Sequence, residues 1–126
     1  MITIPRISEA EWQIMKILWE KSPMVFSEIK EKLDPLFNWK ENTIHTMLTR
    51  LVNKGALKIV ETKPLKKYAP IVTENECVSA ETESFLNRVY NGSLDKLVTG
   101  FIENKKLSEK EIDELKKILD EARLEE

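Results

Sequence analysis

The sequence predicts a mainly α protein with a small β-hairpin: an N-terminal winged helix-turn-helix followed by a helical dimerisation region. Three observations carry this reading. Between Lys40 and Asn53, the residues Ile44, Met47, Leu48, Leu51 and Val52 recur at the spacing of one helical face. After Gly55 the period changes to that of strands, in Leu57–Glu61 and again in Lys67–Val72. From Glu76 onward the helical period returns and holds through Ala122.

The first helix announces itself by a capping box, Ser8-Glu9-Ala10-Glu11, with Ile7 and Trp12 spaced to staple across it. Trp12, Met15, Leu18 and Trp19, flanked by Ile14 and Ile17, give it an apolar face broad enough for burial on more than one side. Ser22-Pro23 ends it. A second, short helix is expected over Val25–Leu33, with Val25, Ile29 and Leu33 inward and Asp34-Pro35 as its stop. Phe37 and Trp39 then plug the core beneath a short connection. The Lys40–Asn53 helix follows, and Gly55 sits where a helix ends on a left-handed residue. The two strands come next, joined by the Thr62–Lys66 turn. Three helices and a hairpin in this order make a winged helix-turn-helix, whose third helix enters the major groove and whose hairpin is the wing.

The second half reads as helix throughout. Glu76–Asn91 carries Phe85, Leu86, Val89 and Tyr90 and stops at Gly92. Ser93 caps a helix with Leu94, Leu97, Val98, Phe101 and Ile102 on one face. Ser108-Glu109-Lys110-Glu111 is a second capping box, stapled by Leu107 and Ile112, and Ile112, Leu115, Ile118, Leu119 and Ala122 form the last stripe. The expected division is therefore a DNA-binding domain over 1–72 and a helical dimerisation domain over 73–126. Three helices of this size bury too little surface to stand alone. Packing against a second copy resolves that. A two-fold homodimer also sets two reading helices about 34–36 Å apart along the duplex, or a multiple of that.

The polar face of the Lys40–Asn53 helix carries Asn42, His45, Thr46, Thr49, Arg50 and Asn53, and no carboxylate; Glu41 lies at the helix start. These are types that bond base edges and phosphates. Most solvated helix faces are rich in Lys and Glu, and this one is not. Lys63, Lys66 and Lys67 cluster at the hairpin tip, where lysines either guard a sheet edge or meet phosphate. The net charge of −2 hides an asymmetry: residues 1–72 hold 12 Lys/Arg against 8 Asp/Glu, and residues 73–126 hold 8 against 14. Lys40 to Tyr68 holds 7 against 2. Such a split marks one half as nucleic-acid-facing and gives the other a different task.

Other classes recede. There is no Gly-rich phosphate loop, nucleophile elbow or His–carboxylate–Ser set, so no enzyme is expected. The lone Cys77 and lone His45 make neither a disulfide nor a metal site, and no cofactor is implied. No apolar run approaches 18 residues and the first dozen lack a signal-peptide core, so a cytoplasmic protein without membrane contact is expected. The remaining rival is a winged-helix protein–protein interaction module, which would bind a partner without the salt dependence of DNA binding.

The ordered set ISEAEWQIMKILW (Ile7 to Trp19), the Trp39-to-Leu57 segment with TIHTMLTRL and KGAL, FLNRVYNGSLDKLV (Phe85 to Val98) and LSEKEIDELKKIL (Leu107 to Leu119) resembles the BlaI/MecI penicillinase-repressor family over nearly the whole chain. The resemblance implies a homodimeric repressor of palindromic, inverted-repeat operators in double-stranded DNA. In resistance members it is inactivated by a sensor-linked protease after a β-lactam signal. It further implies that Thr43, Thr46 and Arg50 touch DNA, that Asn42 and His45 stand at positions often basic, and that Tyr68 is the wing's aromatic. Lys40 and Glu41 depart from the family's Ser and Pro, and His45 from its Arg. The family's scissile Asn-Phe pair corresponds to Gly100-Phe101, where a helical glycine would fray the site. The Cys-rich tail of the copper-responsive branch has no counterpart in EARLEE.

Overall fold

The computed structural model describes residues 3–104 and 106–124. The order is α1 (Glu9–Glu20), β1 (Met24–Val25), α2 (Phe26–Leu33), α3 (Glu41–Asn53), β2 (Leu57–Glu61), β3 (Lys67–Pro70), α4 (Glu74–Tyr90), α5 (Leu94–Glu103) and α6 (Glu109–Leu124). The expected fold class is observed. The chain forms two compact units, one up to Glu81 and one from Thr82. That division falls inside α4, beyond the 72/73 boundary read from the sequence.

In the first unit, α1 begins as its capping box dictates. The Ser8 hydroxyl accepts the Glu11 N–H at 3.2 Å, and Glu11 Oε1 accepts the Ser8 N–H at 2.9 Å. Ile14, Met15 and Leu18 of α1, Ile29 and Leu33 of α2, and Ile44, Leu48 and Leu51 of α3 are buried together, with Met24, Leu57 and Val72 from the sheet side. These are the inward positions of each helical stripe, so the core is one three-helix cluster closed by a sheet. Trp12 and Trp19 pack edge to face at its margin, 5.6 Å between centroids, and Trp19 Nε1 donates to the Val72 carbonyl at 2.9 Å. Phe37 and Trp39 stack at 4.5 Å against the core, as the connection required.

The sheet is larger than a hairpin. β1 pairs antiparallel with β3 (Met24 opposite Tyr68, Val25 opposite Lys67), giving the strand order β1-β3-β2. Val25 is thus a strand residue and the residue before α2, so that helix starts one position later than expected. The strand at Lys67 ends at Pro70, two residues early. Pro70 lacks an N–H to continue a ladder, although Ile71 still donates to the Ala56 carbonyl at 2.8 Å.

α3 ends in a Schellman arrangement: Ala56 N–H reaches Leu51 O at 2.9 Å and Gly55 N–H reaches Val52 O at 3.1 Å, with Gly55 at φ +84°. This turn delivers the chain from α3 directly into β2. α4 starts earlier than expected, because Thr73 and Glu76 form a capping box of their own. Cys77 lies on its buried side, a core thiol whose pKa burial pushes up.

In the second unit, Ser93 caps α5 through the Lys96 N–H at 3.3 Å, and Ser108 and Glu111 form the capping box of α6. Phe85 and Tyr90 meet edge to face at 5.9 Å. No described residue of α5 or α6 is buried.

Candidate nucleic-acid interface

The α3 stripe and the α3 polar face separate completely. Ile44, Leu48 and Leu51 have no exposed surface and Met47 very little, whereas Asn42, Thr43, His45, Thr46, Thr49 and Arg50 are all exposed. Burial of one face by α1 and the sheet therefore leaves the other open along the whole helix. Its only carboxylate is Glu41, in the first turn, where the helix dipole favours it. Lys40, the residue before α3, supplies no side-chain cap, so the first-turn amides keep no such partner.

Hydrogen bonding sharpens what each group offers. The Thr46 hydroxyl donates to the Asn42 carbonyl at 2.8 Å, which leaves Thr46 an acceptor and a methyl group for any partner. His45 stacks on Phe26, the first residue of α2, with centroids 3.8 Å apart and planes within 5°. Among the described residues Arg50, Lys63 and Lys66 form no ion pair. Lys67 lies 3.3 Å from Glu61 across β2–β3, and Lys54 lies 2.7 Å from Glu11. Lys40 and Lys58 likewise form no ion pair among the described residues, so the positive charge available to a phosphate lies on Lys40, Arg50, Lys58, Lys63 and Lys66 rather than on Lys54 and Lys67.

Tyr68 differs from the other candidates. Its ring is only 8% exposed, sits in the core opposite Met24 and Ile59, and has its hydroxyl pKa raised by burial. It braces the wing from within. The turn residues Thr62, Lys63, Pro64, Leu65 and Lys66 are all exposed.

The residues expected to meet a second copy are all open or only partly covered. Phe85, Val89, Leu94, Val98, Phe101, Ile102, Leu115, Ile118 and Leu119 are exposed, and Leu86, Tyr90, Leu97 and Ile112 are intermediate. Gly100 and Phe101 lie inside α5. The Gly100 carbonyl accepts both the Asn104 N–H at 3.1 Å and Asn104 Nδ2 at 2.8 Å, so this peptide belongs to a continuous helix rather than the frayed segment expected from the glycine.

Fold and surface together define a winged helix-turn-helix protein with an exposed, carboxylate-poor third helix. Comparison with known proteins agrees. A family model described as penicillinase repressor matches residues 7–121. The penicillinase repressor of Bacillus licheniformis is 41% identical over 121 residues, spanning 96% of this chain and 94% of that one. The methicillin resistance regulatory protein MecI of Staphylococcus aureus is 35% identical over 113 residues, spanning 90% and 92%. A solution structure of the DNA-binding domain of the repressor BlaI superposes with a TM-score of 0.54 at 37% identity, over 60% of this chain and 93% of that one. A solution structure of monomeric Bacillus licheniformis BlaI in complex with the blaP half-operator gives 0.53 at the same identity and coverage. The chain belongs to the penicillinase repressor family, a family of transcriptional repressors and not of enzymes.

Proposed function

We propose that this chain represses transcription as a homodimer bound to an inverted-repeat operator. Its α3 face is read into the major groove and its hairpin tip is laid against the adjacent backbone. The observation that carries this is the open α3 face: six exposed polar residues, Asn42, Thr43, His45, Thr46, Thr49 and Arg50, with no carboxylate among them. Arg50 supplies a fork that suits guanine or phosphate, Asn42 an amide that suits adenine, and the threonines hydroxyls and methyls for either. Lys63 and Lys66 add phosphate contacts that hold the docking without reading sequence. The relative bound to a half-operator supports this reading.

The dimer is supported by the uncovered apolar residues of the 82–124 segment. Exposed apolar residues recurring along helical stripes in this number mark an interaction site, and two copies of the same stripe can meet under two-fold symmetry. Derepression by a sensor-linked protease cutting Gly100-Phe101 would require local unwinding of α5 to free the Gly100 carbonyl. A DNA-bound repressor without a spanning helix among its described residues works in the cytoplasm.

The test is a titration of duplex DNA at increasing salt. A repressor that neutralises several phosphates loses affinity as a power of salt concentration, with a slope near one per contact. Binding that ignores salt, or binding to protein alone, would overturn the proposal.

A further inference from the structure

We propose that Phe26 is a positioning residue for His45 and that His45, held by it, selects a purine at one fixed position of the bound DNA. The inference rests on the DNA-reading function proposed above and adds to it a residue outside α3.

Phe26 and His45 come from different helices and lie 19 positions apart in sequence, yet their rings are parallel within 5° at 3.8 Å. Aromatic pairs ordinarily sit about 4.5–7 Å apart, offset or edge to face. This pair instead overlaps closely, so one face of the imidazole is covered while the residue as a whole stays exposed. Phe26 is only partly exposed. The base of the stack is itself fixed. Met24 and Val25 pair with Tyr68 and Lys67, the Val25 N–H reaches Glu28 Oε1 at 3.5 Å, and Ile29 and Leu33 bury the inner face of the same helix. The short strand β1 thereby sets where Phe26 stands, and Phe26 sets the plane of His45.

A ring nitrogen donates in the plane of its ring, so holding the plane aims the N–H. Every protonation state and tautomer of histidine has at least one such donor. In the major groove both purines present N7 as an acceptor. In the opposite orientation of the base pair the outer N7 position is taken by the C5–H of cytosine or the C5-methyl of thymine, with the cytosine amino donor or the thymine O4 acceptor set further into the groove. An aimed imidazole N–H therefore favours a purine over a pyrimidine on the strand it faces. Its neighbour Thr46 cannot supply the same donor, because its hydroxyl hydrogen is committed to the Asn42 carbonyl. Ordering the imidazole before binding also reduces the entropy lost on contact.

The test is selection from a random duplex library by the full chain and three variants, Phe26→Leu, Phe26→Tyr and His45→Ala, with melting curves to confirm that each is folded. For the parent, one position should show a purine preference of roughly tenfold, within the range for a single base-pair change. His45→Ala and Phe26→Leu should both reduce it to about threefold or less. The other positions and the salt slope should not change, and Phe26→Tyr, which keeps the ring, should retain the preference. A purely structural Phe26 would weaken all positions together, and that result, or an unchanged profile in Phe26→Leu, overturns the inference. His45 lies at an exposed position, so His45→Ala keeps the test decisive if Phe26→Leu does not fold: a retained purine preference overturns it. A parent chain that enriches nothing removes the DNA-reading function and this inference with it. Enrichment with an unaltered variant profile removes this inference alone.

Discussion

Replacing Glu11 by alanine should lower the stability of the winged-helix unit by about 2–3 kcal/mol. Glu11 is only 2% exposed, yet it is an acid. Burial pushes its pKa up, but the hydrogen bond from Lys54, the bonds with Ser8 and the nearby Lys54 charge outweigh that and hold the carboxyl below its ordinary value. Its Oε1 accepts Lys54 Nζ at 2.7 Å and the Ser8 N–H at 2.9 Å, while Oε2 finds no partner among the described residues. Lys54 ends α3 and also donates to the Arg6 carbonyl at 2.9 Å, so this one carboxylate ties the start of α1 to the end of the reading helix. Loss of the Ser8 N–H bond to Glu11 Oε1 costs about 1 kcal/mol, while the bond from the residue-11 N–H to the Ser8 hydroxyl survives. Loss of a charge-assisted bond costs about 1.5–3 kcal/mol, held at the low end because Lys54 keeps 30% of its side chain exposed and can rehydrate. Thermal melting followed by circular dichroism should show a fall of roughly 10–20 °C for a unit of this size. The pH dependence has a definite sign. A carboxyl depressed in the folded state contributes stability that is complete above its unfolded pKa and disappears as pH falls through the folded value. The parent should therefore lose stability below about pH 4.5 more steeply than Glu11→Ala. A melting temperature within about 3 °C of the parent, or identical acid profiles, would refute the reasoning.

Four further outcomes follow from the two proposed contact surfaces. Arg50→Ala should weaken binding to the selected operator by about 1–3 kcal/mol and relax one position of its sequence preference, measured by fluorescence anisotropy. Lys66→Ala should weaken binding to all sequences about equally and reduce the salt slope by about one. Lys67→Ala should do less, because Lys67 is paired with Glu61. Phe101→Lys should convert the dimer to monomer in light scattering, since it places two charges in one two-fold apolar contact; an unchanged mass would contradict the proposed interface.

Much of this was legible in the chain because the signals are local. The boxes at Ser8 and Ser108, the stripe of α3 and the turn at Gly55 each lie within a few residues, and the structure places them as read. What escaped was non-local. Met24–Val25 is too short to show a period, and becomes a strand only because β3 passes beside it. The same pairing moved the start of α2 and made Tyr68 a core residue, although a wing aromatic reads equally well as a DNA contact. The Phe26–His45 stack joins two helices and leaves no mark in either one's spacing. Thr73–Glu76 was a local signal and could have been found, since it repeats the S/T-x-x-E pattern used at Ser8.

The central claim is that the open face of α3 reads a two-fold operator. Its most direct test is unbiased selection of duplex DNA by the purified chain at about 150 mM salt, followed by sequencing of the bound fragments. The account predicts an inverted repeat whose half-sites are separated by about one helical turn or a multiple of it. Recovery of sequences no different from the starting library would contradict it and leave the polar face of α3 to a protein partner.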